Sequence, residues 1–157
     1  MKYFLKFFSK LLICTGIIVG LFTFVFGIRI VYGNYMYPAI RDGDLVITYK
    51  LEPVNVGDVV LYEHSGSTQV GRVIATGGSD VSISDSGELM VNGGVLQEEI
   101  FYPTEKGTVL YPYSIPANSY FVMNDFRSDT NDSRTFQAIS ENNLEGKVIF
   151  VIRRRGF

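Results

Sequence analysis

The sequence predicts an all-β domain carried behind one N-terminal transmembrane helix, and three observations predict it. Residues Leu11 to Ile28 contain no charged side chain. Beyond Tyr32 the texture changes to short alternating or β-branched runs, separated by Gly, Asn, Asp and Pro. Charge is also divided unevenly: the first 32 residues carry Lys2, Lys6, Lys10 and Arg29 and no acid, so a chain of 157 residues with net charge -2 places -6 on the remainder.

Composition narrows the function classes. With 46% hydrophobic and 19% charged residues, the chain has the means to bury a core and is not of the disordered type. Its length suits one domain plus an appendage. No basic field offers itself to nucleic acid. A single cysteine, Cys14, and a single histidine, His64, exclude an intramolecular disulfide framework and a Cys/His metal site, and nothing suggests a cofactor.

The apolar run, with Phe7, Phe8 and Ile30 at its flanks, reaches the roughly 20 residues a bilayer requires. A core helix is rarely apolar on every side, and a cleaved signal peptide needs a small-residue cleavage site, yet no alanine precedes Ala39. The run therefore reads as a retained anchor over residues 1–32, with Cys14 a packing residue in the membrane. The preceding lysines place the N-terminus inside and the domain, 33–157, outside the cell membrane.

Within that domain the expected strands are Asp44 to Tyr49, Asp58 to Tyr62, Val70 to Ala75, Val81 to Ser84, Glu88 to Val91, Thr108 to Tyr113, Tyr120 to Asn124 and Lys147 to Ile152. Asn92-Gly93 between Met90-Val91 and Val95-Leu96 predicts a hairpin, because a tight primed turn needs positive φ at both central residues. Ser140 to Leu144 suggests one helical turn. No repeat or long linker interrupts the unit.

Three segments in order carry more than texture: Gly33-Asn34-Tyr35-Met36-Tyr37-Pro38, Gly71-Arg72-Val73-Ile74, and Asn124-Asp125-Phe126-Arg127-Ser128-Asp129-Thr130-Asn131-Asp132-Ser133-Arg134. With the anchor upstream, they resemble the type I signal peptidases, which read G-x-S-M-x-P, K-R-V-I and G-D-N-R-x-N-S-x-D-S-R. Gly43-Asp44-Leu45-Val46 and Gly57-Asp58-Val59-Val60 match as well, so the likeness runs from the anchor to about Phe150. It implies the signal peptidase β fold.

The family's chemistry needs a serine hydroxyl to attack a carbonyl and a neutral lysine to take its proton, which requires desolvation to pull the lysine pKa far below its usual value. Met36 and Pro38 put Tyr35 in the serine slot, and Arg72-Val73-Ile74 puts Gly71 in the lysine slot. No serine lies between Ser9 and Ser65 and no lysine between Lys50 and Lys106, so a shifted alignment restores neither. A phenol with an unperturbed pKa near 10 is a poor nucleophile, and glycine is no base. The expectation is a chain without catalytic residues.

The third segment departs from the pattern at Asn124 and Phe126, and Thr130 stands where the resemblance implies a serine that orients the lysine. Arg72, Asp125, Asp132, Ser133 and Arg134 match, and the resemblance implies that they tie the last segment to the strand bearing the base. The alternative is a solvated Asp-rich turn. Other patterns are weaker. His64 with Ser65 and Ser67 suggests a loop rather than a hydrolase pair. Asn131-Asp132-Ser133 fits a glycosylation acceptor but falls inside the motif. Arg153-Arg154-Arg155 suits anionic lipid or a soluble end. Ile100, Phe101, Tyr102, Pro103, Tyr111, Pro112, Tyr113 and Ile115 suit a peptide surface, the lipid interface or the core.

Among signal peptidase-like proteins, loss of the Ser/Lys pair resembles the pilus-assembly members of Gram-positive bacteria. That implies a binding or chaperone role toward a pilin subunit or a sortase, with a partner cleft at Tyr35, Met36, Tyr37, Pro38 and Thr130. The alternatives are an atypical or partner-dependent peptidase, and a decayed paralogue that sequesters signal peptides.

Overall fold

The computed structural model describes residues 2–98, 100 and 103–154. Helix α1, Lys2–Phe24, comes first. At 1.5 Å per residue it is roughly 34 Å long, enough for a hydrocarbon core of about 30 Å. None of its apolar span Lys6–Phe24 is buried against the rest of the protein. It ends sooner than the sequence suggests. Phe26–Ile30 forms strand β1 and pairs antiparallel with β2, Leu45–Tyr49. Apolar character continues across the break, which hid it, but Phe26, Ile28 and Ile30 alternate as a strand requires.

The remaining elements are β3 (Val59–His64), β4 (Ser67–Thr76), β5 (Asp80–Ile83), β6 (Leu89–Val91), β7 (Gly94–Val95), β8 (Tyr113–Ser114), β9 (Ser119–Met123), the short helix α2 (Ser133–Phe136), β10 (Ile139–Ser140), a 3₁₀ turn at Glu141–Asn143, and β11 (Leu144–Ile152). Seven strands form the main sheet in the order β1-β2-β11-β3-β4-β9-β10, and β7-β6-β5-β8 form a smaller one. Asn92 and Gly93 make the expected hairpin turn with φ of 51° and 79°, joining Val91 to its partner Gly94. Thr108 to Val109 is not a strand: both N–H groups donate to the Arg134 carbonyl, at 3.0 and 2.9 Å, and only Tyr113–Ser114 joins β5.

Three apolar clusters hold the sheets. Ile74, Val81, Ile83, Leu89, Ile115, Phe121 and Met123 bind the small sheet to the large one. Val31, Met36, Ile40, Val46, Leu61 and Val70 pack under the loop after β1. Val60, Tyr62, Val73, Val122 and Ile139 fill the third. One face of the main sheet stays apolar and open: Ile28, Ile47 and Phe150 lie side by side across β1, β2 and β11, as do Ile30, Leu45 and Ile152. Phe22, Phe26 and Tyr49 link the end of α1 to this face by ring contacts of 6.1 and 5.5 Å.

Candidate functional site

The loop after β1 is fixed at both ends. Val31 N–H donates to the Asp44 carbonyl at 2.8 Å, and Gly33 N–H donates to Asp42 Oδ1 at 2.8 Å. Tyr35 lies in this loop, half-buried, with its ring folded back on Gly33, where a Cβ would come within 2.5 Å of the ring edge. Met36 next to it is buried in the second cluster, so it packs the core and does not line a cleft as the sequence suggests. Two contacts seat this pair on the third segment: Phe126 N–H donates to the Tyr35 carbonyl at 2.9 Å, and Asp125 N–H to Met36 Sδ at 3.4 Å. Tyr37 and Pro38 are exposed, and the Arg41 guanidinium stands 5.1 Å from the centre of the Tyr37 ring.

Gly71 faces Val60 across β3 and β4. A Cβ built on it would lie 2.5 Å from Val122 Cγ1 and 3.3 Å from both Tyr62 Cε1 and the Met123 carbonyl oxygen. A side chain at Gly71 would thus run into the walls of the third cluster. The Tyr62 hydroxyl donates to Gln69 Oε1 at 3.1 Å. Burial, reinforced by the negative charges of Asp132 and Asp129, pushes this phenol above its ordinary pKa and keeps it protonated. It is a donor there and takes no proton. Arg72–Thr76 pairs with β9, but Ser67–Gly71 pairs only with β3, and no described strand takes the other edge.

The third segment is a dense polar frame. Arg72 Nε and Nη2 meet Asp125 Oδ1 and Oδ2 at 2.8 and 2.7 Å, a two-pronged pair, while Nη1 donates to the Gly57 carbonyl at 2.9 Å. Asp132 caps α2 and accepts from Arg134 N, Nε and Nη2 at 3.0, 2.9 and 2.6 Å, and from Asn124 N at 2.8 Å. Ser133 Oγ accepts from Val122 N at 2.9 Å. Arg134 further donates to the carbonyls of Arg127, Glu105 and Asp129. Asp132, Ser133 and Arg134 are fully enclosed, so this is no solvated turn. Half-buried Thr130 binds through its main-chain carbonyl, which accepts from Asp132 N and Thr135 Oγ1.

Sequence reasoning did not assign Arg127, Glu98 or Tyr62. Arg127 is buried, pairs with Glu98 from the connector after β7, and leaves Nε without a partner among the described residues. Burial lowers the guanidinium pKa and raises that of Glu98, against the attraction between them. Arg127 sits within the matched motif, so its position was visible, whereas nothing distinguishes Glu98 from its neighbours in sequence. His64, at the end of β3, is stacked on Phe136 at 3.8 Å. Ile115 belongs to the first cluster, with Tyr111 and Tyr113 against it. Burial takes the Tyr111 phenol up to about 12. Ile100 is half-buried and Pro103 exposed, while Phe101, Tyr102 and Arg155 lie outside the described residues. Arg153 and Arg154 are exposed. No group of three or more His, Cys, Asp or Glu suited to a metal ion occurs among the described residues.

The family profile "Signal peptidase, peptidase S26" matches residues 4–153. The chain belongs to this family. It is 28% identical over 137 residues to "Probable signal peptidase I-1" of a Synechocystis strain, covering 78% of this chain and 68% of that one. It is 24% identical over 163 residues to "Inactive signal peptidase IA" of Staphylococcus aureus strain Mu50, covering 94% and 91%. The crystal structure of a signal peptidase I from Enterococcus faecalis V583 superposes with a TM-score of 0.52 at 20% identity, over 62% of this chain and 98% of that one. Relatives named as active and as inactive thus both stand near this S26 chain. The fold and the apolar N-terminal helix accord with a membrane-anchored protein of the family.

Proposed function

We propose that this S26 protein is a membrane-tethered pseudo-enzyme that binds a partner instead of cleaving one. Its surface beside the third segment, formed by Tyr35, Tyr37, Pro38 and Thr130 with the enclosed Met36 beneath them, holds an extended segment of a pilin subunit or a sortase during pilus assembly. One observation carries the reading: the base slot at Gly71 is closed by Val122 and Tyr62, and the nucleophile slot holds a tyrosine. Losing the chemistry need not lose recognition, because an extended chain binds through main-chain hydrogen bonds to a strand edge. The edge of Ser67–Gly71, which no described strand takes, supports such binding. Exposed Tyr37 and Phe126 add ring surface of the kind that anchors interfaces.

Purified full-length protein should leave a signal-peptide substrate intact. Cleavage that disappears in Tyr35→Phe would contradict the reading. A photo-crosslinking residue placed at Tyr35, Tyr37 or Thr130 should capture a pilin or a sortase, and Tyr35→Ala should impair pilus polymerisation. Crosslinks only from a control at Asn92, with normal polymerisation in Tyr35→Ala, would move the binding surface to another face.

A further inference from the structure

The junction between α1 and β1 is bonded to a residue that follows β2. A helix leaves its last carbonyls without partners inside the helix, and the last bond of α1 runs from Val25 N to the Leu21 carbonyl. Lys50, just beyond β2, supplies two of the missing donors. Its main-chain N–H donates to the Val25 carbonyl at 2.9 Å, and its Nζ reaches back to the Thr23 carbonyl, also at 2.9 Å. A cation at this end of a helix meets the negative pole of the aligned peptide dipoles.

The path of the lysine depends on a second residue. Gly27 lies opposite Thr48 in the β1–β2 pair. A Cβ on Gly27 would come within 2.5 Å of Thr48 Oγ1 and 3.5 Å of Lys50 Cε. Thr48 is fully enclosed, and its hydroxyl has no partner among the described residues. The notch at Gly27 therefore gives room both to that hydroxyl and to the lysine stem crossing β1. Elsewhere α1 meets the domain through ring contact between Phe22 and Phe26, which is apolar and sets no direction.

We propose that Lys50 is a positioning residue that clasps the end of the membrane helix and fixes its angle to the sheet, with Gly27 as the notch that admits it. The inference rests on α1 spanning a bilayer and is independent of what the cleft binds. A helix joined to a domain only by its chain swings freely; one whose terminal carbonyls are bonded to a strand end turns with the sheet. The clasp sets both the tilt of the apolar face bearing Ile28, Ile30, Phe150 and Ile152 and the direction in which the loop bearing Tyr35 points.

The test uses the full chain in lipid nanodiscs, with Cys14→Ala and spin labels at Leu12→Cys in the helix and Val95→Cys in the small sheet. A second pair, Glu63→Cys with Val95→Cys, reports on the domain alone. The parent should give a narrow helix-to-domain distance distribution. Lys50→Met should widen it at least twofold and leave the second pair unchanged, while Lys50→Arg, which keeps a cationic donor, should stay close to the parent. Gly27→Val should reproduce the widening. A Lys50→Met distribution as narrow as the parent's would overturn the proposal, as would a broad parent distribution or equal broadening of the pair within the domain.

Discussion

Gly71→Ala adds one methyl group where the structure has no space for it. The new carbon would sit 2.5 Å from Val122 Cγ1 and 3.3 Å from Tyr62 Cε1, against roughly 3.5–4.0 Å for relaxed carbon contacts. Val122 must therefore retreat by about 1 Å, yet it is enclosed in β9 among Val60, Tyr62, Val73 and Ile139. Overpacking of this kind costs about 1–3 kcal/mol. Replacing glycine recovers about 0.4–1 kcal/mol from the unfolded chain, since Gly71 does not have positive φ. The net loss is about 1–2 kcal/mol, and melting should fall by roughly 4–8 °C for a domain of this size. Thermal melts of the detergent-solubilised chain measure it. Val122→Ala also destabilises, by cavity formation, but the double variant should lose at least about 1 kcal/mol less than the two single losses added together. Strict additivity, or a Gly71→Ala protein as stable as the parent, would refute the closed slot. If the slot is closed, Tyr35→Ser with Gly71→Lys should regain no cleavage until Val122 and Tyr62 are also reduced in size.

Asp125→Ala should cost about 2–4 kcal/mol, because the Asp125 side chain is 6% exposed and its loss leaves the Arg72 cation, 29% exposed, without its two-pronged partner; a melt unchanged within about 0.5 kcal/mol, the range of ordinary surface substitutions, would relegate the pair to the surface. Tyr62 keeps its proton in the folded state to higher pH than in the unfolded chain, so folding stability should fall as pH rises above about 10. Tyr62→Phe should flatten that alkaline loss, at a neutral-pH cost of about 1 kcal/mol for the bond to Gln69, as pH-dependent melts would show. External protease acting on wall-free cells should digest the domain beyond Tyr32; full protection would reverse the topology expected from the N-terminal lysines.

The sequence reading and the structure agree where local chemistry decides the outcome. The N-terminal apolar helix, the turn at Asn92-Gly93 and most strands are set by apolar spacing and by residues that tolerate positive φ. The three ordered motif segments do meet in space, the first and third through Tyr35, Met36, Asp125 and Phe126, the second and third through Arg72 and Asp125. What stayed hidden depends on distant partners. The end of α1 at Phe24 is decided by β2 pairing with Phe26–Ile30, not by any change in apolarity. Thr108 and Val109 have strand-forming side chains but spend their N–H groups on Arg134, 26 and 25 residues away. That Gly71 lacks a base is plain from the sequence; that Val122 and Tyr62 close around it depends on the fold, which brings together Gly71 and Val122 from 51 positions apart.

The position of β11 governs how the chain reaches its native state. Residues 144–152 are synthesised after every other strand, yet they lie in the interior of the main sheet, between β2 and β3. Until they arrive, β2 and β3 present two raw edges rich in Val, Ile and Leu, the kind of surface on which chains join one another. The sheet is therefore closed like a zip whose slider is its last piece. β11 enters a gap whose two sides were made roughly 80 to 100 residues earlier, a long-range closure of the sort that makes β proteins slow to fold. A nascent chain halted before Leu144 would stay attached to its anchor with that gap open, exposed to proteases and to its neighbours.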